Sequence, residues 1–256
     1  MFVQESGTIG KPTIVFLHGN GANWSMWKTH MDRLDDYHCL APDFPGYGQS
    51  NDQEWVSITE TTKQIAEIIR DRGLNGRAHI VGLSLGGSIT ISLLSKAPDL
   101  VDHAIVDGAG VLPMIGVPLM KIGFRLLQPF LHTDFVIKMI ARMTKISEDE
   151  YPGFRQGMLS MSSASFTRSF TEAISMRQPP GLNDVTNPIL FVSGEKEPEA
   201  VRRSNVMLSD TMPNAQSRMI SGMGHGWLAE APDIHYRMVR AWLNNDFLPE
   251  ELVEVV

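Results

Sequence analysis

The sequence predicts an α/β fold: a mostly parallel sheet with helices on both faces and a helical cap inserted between two strands. Three observations lead there. Short apolar runs rich in Ile and Val alternate with segments of helical period, the pattern of strands buried on both faces and of the helices covering them. The chain has 256 residues, 43% hydrophobic and 20% charged, enough for one large core in an ordinary globular composition. Residues 111–180 alone break the alternation.

The elements follow in order. Phe2 to Glu5 is short enough for an antiparallel edge strand, and Thr13 to Leu17 (Thr-Ile-Val-Phe-Leu) reads as a fully buried strand ending at His18-Gly19. Trp24 to Asp35 spaces Trp24, Trp27, Met31 and Leu34 as a helix would. Tyr37 to Ala41 is the next strand, stopped by Pro42 and the turn-rich Pro45-Gly46-Tyr47-Gly48. Ile58 to Arg72 places Ile65, Ile68 and Ile69 on one helical face, with Gly73 as its stop. Ala78 to Leu83 is a buried strand and Leu85 to Lys96 its helix. Strands at His103 to Val106, Pro188 to Ser193 and Ser217 to Ile220 follow, and Pro232 to Leu243 closes the chain as a helix with proline in its first turn.

Between the strands ending at 106 and starting at 188, residues 111–180 offer helical patterns, such as Leu119 to Leu127 and Asp134 to Met143. We expect a core of 1–110 and 181–256 carrying 111–180 as a cap at the carboxyl ends of the strands, where open α/β sheets bind ligands. The cap holds seven of the fifteen methionines, which suit an irregular subdomain core or an adaptable apolar pocket. Its eight Lys and Arg exceed its five Asp and Glu, so the cap is basic on an acidic body. Arg125 or Arg168 is a candidate contact for an anionic substrate group.

Several classes are excluded or disfavoured. A net charge of −7 argues against a nucleic-acid binder, since a phosphate backbone is gripped by clustered cations. Cys39 is the only cysteine, so neither an intrachain disulfide nor a cysteine metal cluster can form. The N-terminus lacks a basic segment followed by an apolar one, and no apolar run reaches the roughly 18–20 residues of a membrane span. A cytoplasmic protein without stable membrane insertion is expected; oligomeric state is not encoded in any pattern.

The chemistry concentrates at Gly82-Leu83-Ser84-Leu85-Gly86, which fits Gly-x-Ser-x-Gly between a buried strand and its helix. A serine on so sharp a turn needs glycines on either side to clear space. The helix start behind it offers amide N–H groups and positive dipole to an oxyanion, so the Leu85 N–H is the expected first donor. His18-Gly19-Asn20-Gly21 follows another strand, and the Asn20 N–H is the second candidate. A dinucleotide loop is the competing reading, but the third glycine of that fingerprint falls on Trp24. His18 is expected to orient the loop, and Asp43 to brace its turn.

The base must be an imidazole. Of eight histidines, His225 stands apart in Gly224-His225-Gly226, a glycine-flanked loop past the last strand and after the serine in chain order. Its acidic partner should follow a strand between the two. Glu197, three residues past Gly194, is favoured; Asp107, after Val106, is the alternative, and Glu195 or Glu199 can be displaced into the role.

These motifs together resemble the α/β-hydrolase superfamily across nearly the whole chain, through His18-Gly19, Pro42-Asp43-Phe44-Pro45-Gly46-Tyr47-Gly48-Gln49-Ser50, Gly82 to Gly87 and Gly224-His225. The likeness is strongest to small capped bacterial esterases, lipases and C–C bond hydrolases, and it implies no cofactor. The family usually has aspartate where this chain has Glu197, and its fuller members have two strands where this chain has room for one before Thr13. Relatives with aspartate at the nucleophile position, haloalkane dehalogenases and epoxide hydrolases, are excluded by Ser84. The resemblance implies a serine hydrolase acting on an ester or thioester of a small to medium acyl substrate. A C–C bond hydrolase or lyase on the same residues, or a ligand-binding receptor on a hydrolase scaffold, are the alternatives.

Overall fold

The computed structural model describes residues 1–114, 116–143, 145–146, 148 and 151–255; five residues of the expected cap (115, 144, 147, 149 and 150) lie outside it. In chain order the elements are β1 (Val3–Gly7), β2 (Thr13–Leu17), α1 (Lys28–Met31), β3 (His38–Pro42), α2 (Ile58–Arg72), β4 (Ala78–Leu83), α3 (Leu85–Lys96) and β5 (Val101–Asp107). Helices α4 (Val117–Leu127), α5 (Asp134–Met143), α6 (Tyr151–Ser160) and α7 (Ser163–Ala173) follow. The chain closes with β6 (Ile189–Gly194), α8 (Glu199–Thr211), β7 (Ala215–Ile220), α9 (Trp227–Glu230), α10 (Pro232–Leu243) and β8 (Leu252–Glu254).

The strands form one sheet in the order β1-β3-β2-β4-β5-β6-β7-β8. The edges pair antiparallel, β1 with β3 and β7 with β8, and the rest pair parallel. The expected fold class is therefore the observed one. Strand alternation divides two cores: Val15 and Leu17 face Ile65, Ile89 and Leu208, whereas Ile14 and Phe16 face Trp27, Met238 and Trp242. Each such side chain taken out of water contributes on the order of 1.5–3 kcal/mol.

Strand order reverses at β2, whose successor β3 lies on one side and β4 on the other. Loops leaving β2 and β4 therefore diverge and open a crevice at their carboxyl ends. Helix α7 lies close to it, tied to core loops. The Ser162 N–H donates to the Gly46 carbonyl at 2.8 Å, Trp55 N–H to Ser165 Oγ at 3.1 Å, and the Glu172 carboxylate accepts from Trp55 Nε1 and the Ile58 N–H that opens α2.

Two expectations change. The single helix over Trp24 to Asp35 is a 3₁₀ turn at Trp24–Trp27 followed by the short α1. Asn23 accepts from the Ser25 N–H two residues on, which tightens the start; Trp27, Met31 and Leu34 are nonetheless buried as their spacing implied. Of the methionines in 111–180, Met158 and Met161 are buried while Met120, Met139 and Met143 are exposed.

Candidate active site

Ser84 ends β4 on a turn at φ 56, ψ −109, a region costing a non-glycine residue on the order of 1–3 kcal/mol. Its surroundings explain the motif. A Cβ on Gly82 would lie 2.5 Å from the Gly86 carbonyl oxygen, one on Gly86 2.1 Å from that of Leu17, and one on Gly87 2.7 Å from the Ala109 methyl. Only glycine lets α3 approach the strands this closely. The turn is pinned as the Ser84 N–H donates to the Asp107 carbonyl at 2.7 Å and the Ser88 N–H to the Ser84 carbonyl at 2.9 Å. The Leu85 N–H is one of the unpaired donors that begin a helix, in the positive end of its dipole.

His225 is carried on the turn after β7. That turn rests on the end of β6, where a Cβ on Gly194 would meet the Met223 and Gly224 carbonyls at 2.6 and 2.7 Å. Nδ1 of His225 donates to Oε2 of the buried Glu197 at 3.0 Å, which leaves Nε2 as the basic atom. The side chain is 45% exposed, yet the protein around the ring disfavours its charge. The Glu197 hydrogen bond and carboxylate, with the Asp107 charge, outweigh that and raise the imidazole above its ordinary 6.5.

Ser84 and His225 line one cavity of about 290 Å³, whose apolar wall includes Met26, Leu83 and Leu228 from the core and Ile146 and Phe154 from the helical segment. No hydrogen bond joins the Ser84 hydroxyl to the ring; such bonds commonly tighten only with substrate in place. Asn20 lines the same cavity. Its side chain donates to the Phe166 carbonyl at 3.3 Å and accepts from Ser169 Oγ at 3.1 Å and from the Tyr47 hydroxyl. The Asn20 N–H has no partner among the described residues.

The sequence profile of the alpha/beta hydrolase family matches residues 14–234. The chain belongs to the alpha/beta hydrolase family. Lipase 3 of Moraxella is 24% identical over 245 residues, covering 90% of this chain and 76% of the lipase. A 2-hydroxy-6-oxononadienedioate/2-hydroxy-6-oxononatrienedioate hydrolase of Burkholderia vietnamiensis is 25% identical over 260 residues, covering 94% and 89%. The enol-lactonase of Burkholderia xenovorans superimposes with a TM-score of 0.79 at 18% identity, covering 95% of this chain and 96% of that one.

In this alpha/beta hydrolase the other candidate acids are engaged elsewhere. Asp107 is buried beneath the site, where its Oδ1 accepts from Trp227 Nε1 at 3.0 Å and its Oδ2 lies 3.4 Å from His235 Nε2. Burial pushes its carboxyl up to about 7, against the Trp227 bond and the His225 charge. Glu195 accepts from the Gly222 N–H at 2.6 Å, and Glu199 opens α8 in an ion pair with Arg203. His18 accepts from the Phe44 N–H and donates to the Gly19 carbonyl; burial lowers it to about 4, so it is a neutral brace. Asp43 receives the Trp24 and Gln49 N–H groups, both at 2.7 Å.

Arg125 is exposed and Arg168 pairs with Glu54; neither lines the cavity, nor does any methionine of 111–180. Three contributors escaped the sequence reading. Gly108, at φ 61, packs against the His225 ring, and its one signal was a glycine directly after a strand. Tyr47 and Ser169 fix Asn20 from 27 and 149 residues away, without any local signal. Among the described residues, no group of three or more His, Cys, Asp or Glu is placed to hold a metal ion, and no helix is long and apolar enough to cross a membrane.

Proposed function

We propose that this hydrolase cleaves carboxylic ester or thioester bonds of a small to medium acyl substrate through an acyl-enzyme, with residues 111–180 as the cap over its site. One observation carries the reading: a serine on a strained strand-to-helix turn shares an apolar cavity with an imidazole whose far nitrogen is held by a buried carboxylate. Ser84 Oγ attacks the carbonyl carbon while His225 Nε2 takes its proton. Glu197 stabilises the imidazolium through Nδ1. The tetrahedral oxyanion is received by the N–H groups of Leu85 and Asn20. His225 then protonates the leaving oxygen or sulfur, and water, deprotonated by the same ring, releases the acid and restores Ser84.

The lipase relative and the enol-lactonase neighbour are consistent with ester chemistry. The oxononadienedioate hydrolase relative favours a second reading, cleavage of a C–C bond on a ketonic substrate by the same residues. A panel of short-chain aryl esters separates them. Rapid turnover that disappears in Ser84→Ala supports the first, and no turnover of any ester by a chain that a fluorophosphonate labels at Ser84 favours the second. A chain that neither turns over esters nor accepts the fluorophosphonate is a binding protein, and the hydrolase reading fails.

A further inference from the structure

Among the described residues, eight of the fourteen exposed large hydrophobic side chains fall between 119 and 143. Helix α4 buries no residue completely. Its inner side meets α7, with the Phe124 ring 3.9 Å from that of Phe170, while Leu119 and Leu126 are 74% and 70% exposed and Ile122 lies between them at helical spacing. Helix α5 repeats the arrangement. Val136, Ile137 and Ala141 point inward, and Phe135, Met139 and Met143 form an i, i+4, i+8 stripe whose ends are 78% and 74% exposed. An uncovered apolar surface of this kind marks an interaction site.

Charge selects the partner. From 116 to 146 the sequence has five cations, Lys121, Arg125, Lys138, Arg142 and Lys145, against one acid, Asp134. That acid is already tied to Arg155 at 2.8 Å, and none of the five cations has a carboxylate partner among the described residues. On α5, the helical period sets Arg142 beside Phe135 and Lys138 beyond it, so the cations flank the apolar stripe. A second copy meeting this face by twofold symmetry would oppose like charges. A basic, amphipathic surface with bulky apolar tips is instead suited to lie in the headgroup layer of an anionic bilayer.

We propose that the outer face of α4 and α5 docks this hydrolase peripherally on an anionic lipid surface, without spanning it. The lipid supplies what the face lacks: counter-charges for the five cations and an apolar layer for Leu119, Leu126, Phe135 and Met143. The surface is distinct from Ser84 and His225, so the proposal stands independently of the reaction.

The test is sedimentation of the full chain with vesicles of phosphatidylcholine alone and of phosphatidylcholine mixed with phosphatidylglycerol. Pelleting is expected with the mixed vesicles, weakening as salt is raised. Leu126→Ser with Phe135→Ser, and separately Lys138→Glu with Arg142→Glu, should each lower the partition by at least about tenfold. All four side chains are exposed, and an unchanged circular dichroism spectrum and Tm confirm that the variants are folded. A chain that remains in the supernatant with mixed vesicles overturns the proposal, as does pelleting equal in both variants. So does a dimer that Leu126→Ser with Phe135→Ser dissolves while the parent ignores vesicles, which would identify a second copy as the occupant.

Discussion

A Cβ on Gly108 would lie 2.9 Å from Nδ1 of His225, and 3.1 Å from Oε1 of Glu197. The residue also sits at φ 61, where a side chain is strained. Gly108→Ala therefore presses on the pair that orients the imidazole. Ester turnover should fall by up to about a hundredfold, with Tm lower by only a few degrees. Steady-state kinetics beside a thermal melt check this; undiminished turnover would mean the ring does not need its present place.

The His225 ring is raised above 6.5 chiefly by Glu197 overcoming the effect of burial. A general base works in its neutral form, so kcat/KM should climb with pH and level off only above that ordinary value. Glu197→Gln removes the charge, moves the midpoint of the profile down, and slows turnover by about a hundredfold or more. Stability follows with a definite sign. A raised histidine contributes stability fully present below 6.5 and lost as pH rises through its folded value. Glu197→Gln should therefore cost more Tm in mildly acidic than in alkaline buffer.

Asp107 behaves in the opposite sense. Its carboxyl moves from 3.8 up to about 7, so the folded protein keeps a proton that the unfolded chain releases. The stability penalty grows as pH rises across that interval and is complete above it. Asparagine keeps an acceptor for Trp227 Nε1 and offers a donor to His235. Asp107→Asn should match or exceed the parent Tm in alkaline buffer and keep ester turnover within about tenfold. Loss of turnover in Asp107→Asn together with its retention in Glu197→Gln would exchange the roles of the two acids.

Glu172 fastens α7 to the start of α2. One oxygen accepts from Trp55 Nε1 at 3.1 Å, and both lie 2.9 Å from the Ile58 nitrogen. Glu172→Ala strands the indole N–H of a buried tryptophan and an N–H at a helix start, at a cost of about 1–3 kcal/mol. Urea denaturation measures that loss, and limited proteolysis between β5 and β6 should become faster.

The strands were legible because a parallel sheet buried on both faces writes itself as uninterrupted apolar runs, as in Ile14 to Leu17 and Ile80 to Val81. Helix α3 begins and ends at the predicted residues because the Ser84 turn and Ala97 bound it. Glu197 and His225 could be singled out because each follows a strand within a few residues. Relationships between distant segments were not legible. Asp107 meets Trp227 and His235, and Glu172 meets Trp55 and Ile58, across more than a hundred residues in each case. Helices α6, α7 and α8 and strand β8 also escaped notice, since polar interruptions such as Ser162 to Ser165 blur their period and β8 spans only three residues.

Asn20 fixes more than its own loop. Its amide side chain is fastened to α7 while its main chain borders the cavity. Helix α7 itself lends no residue to the cavity wall, so a disturbance of that helix is felt there at second hand, through the amide that grips it.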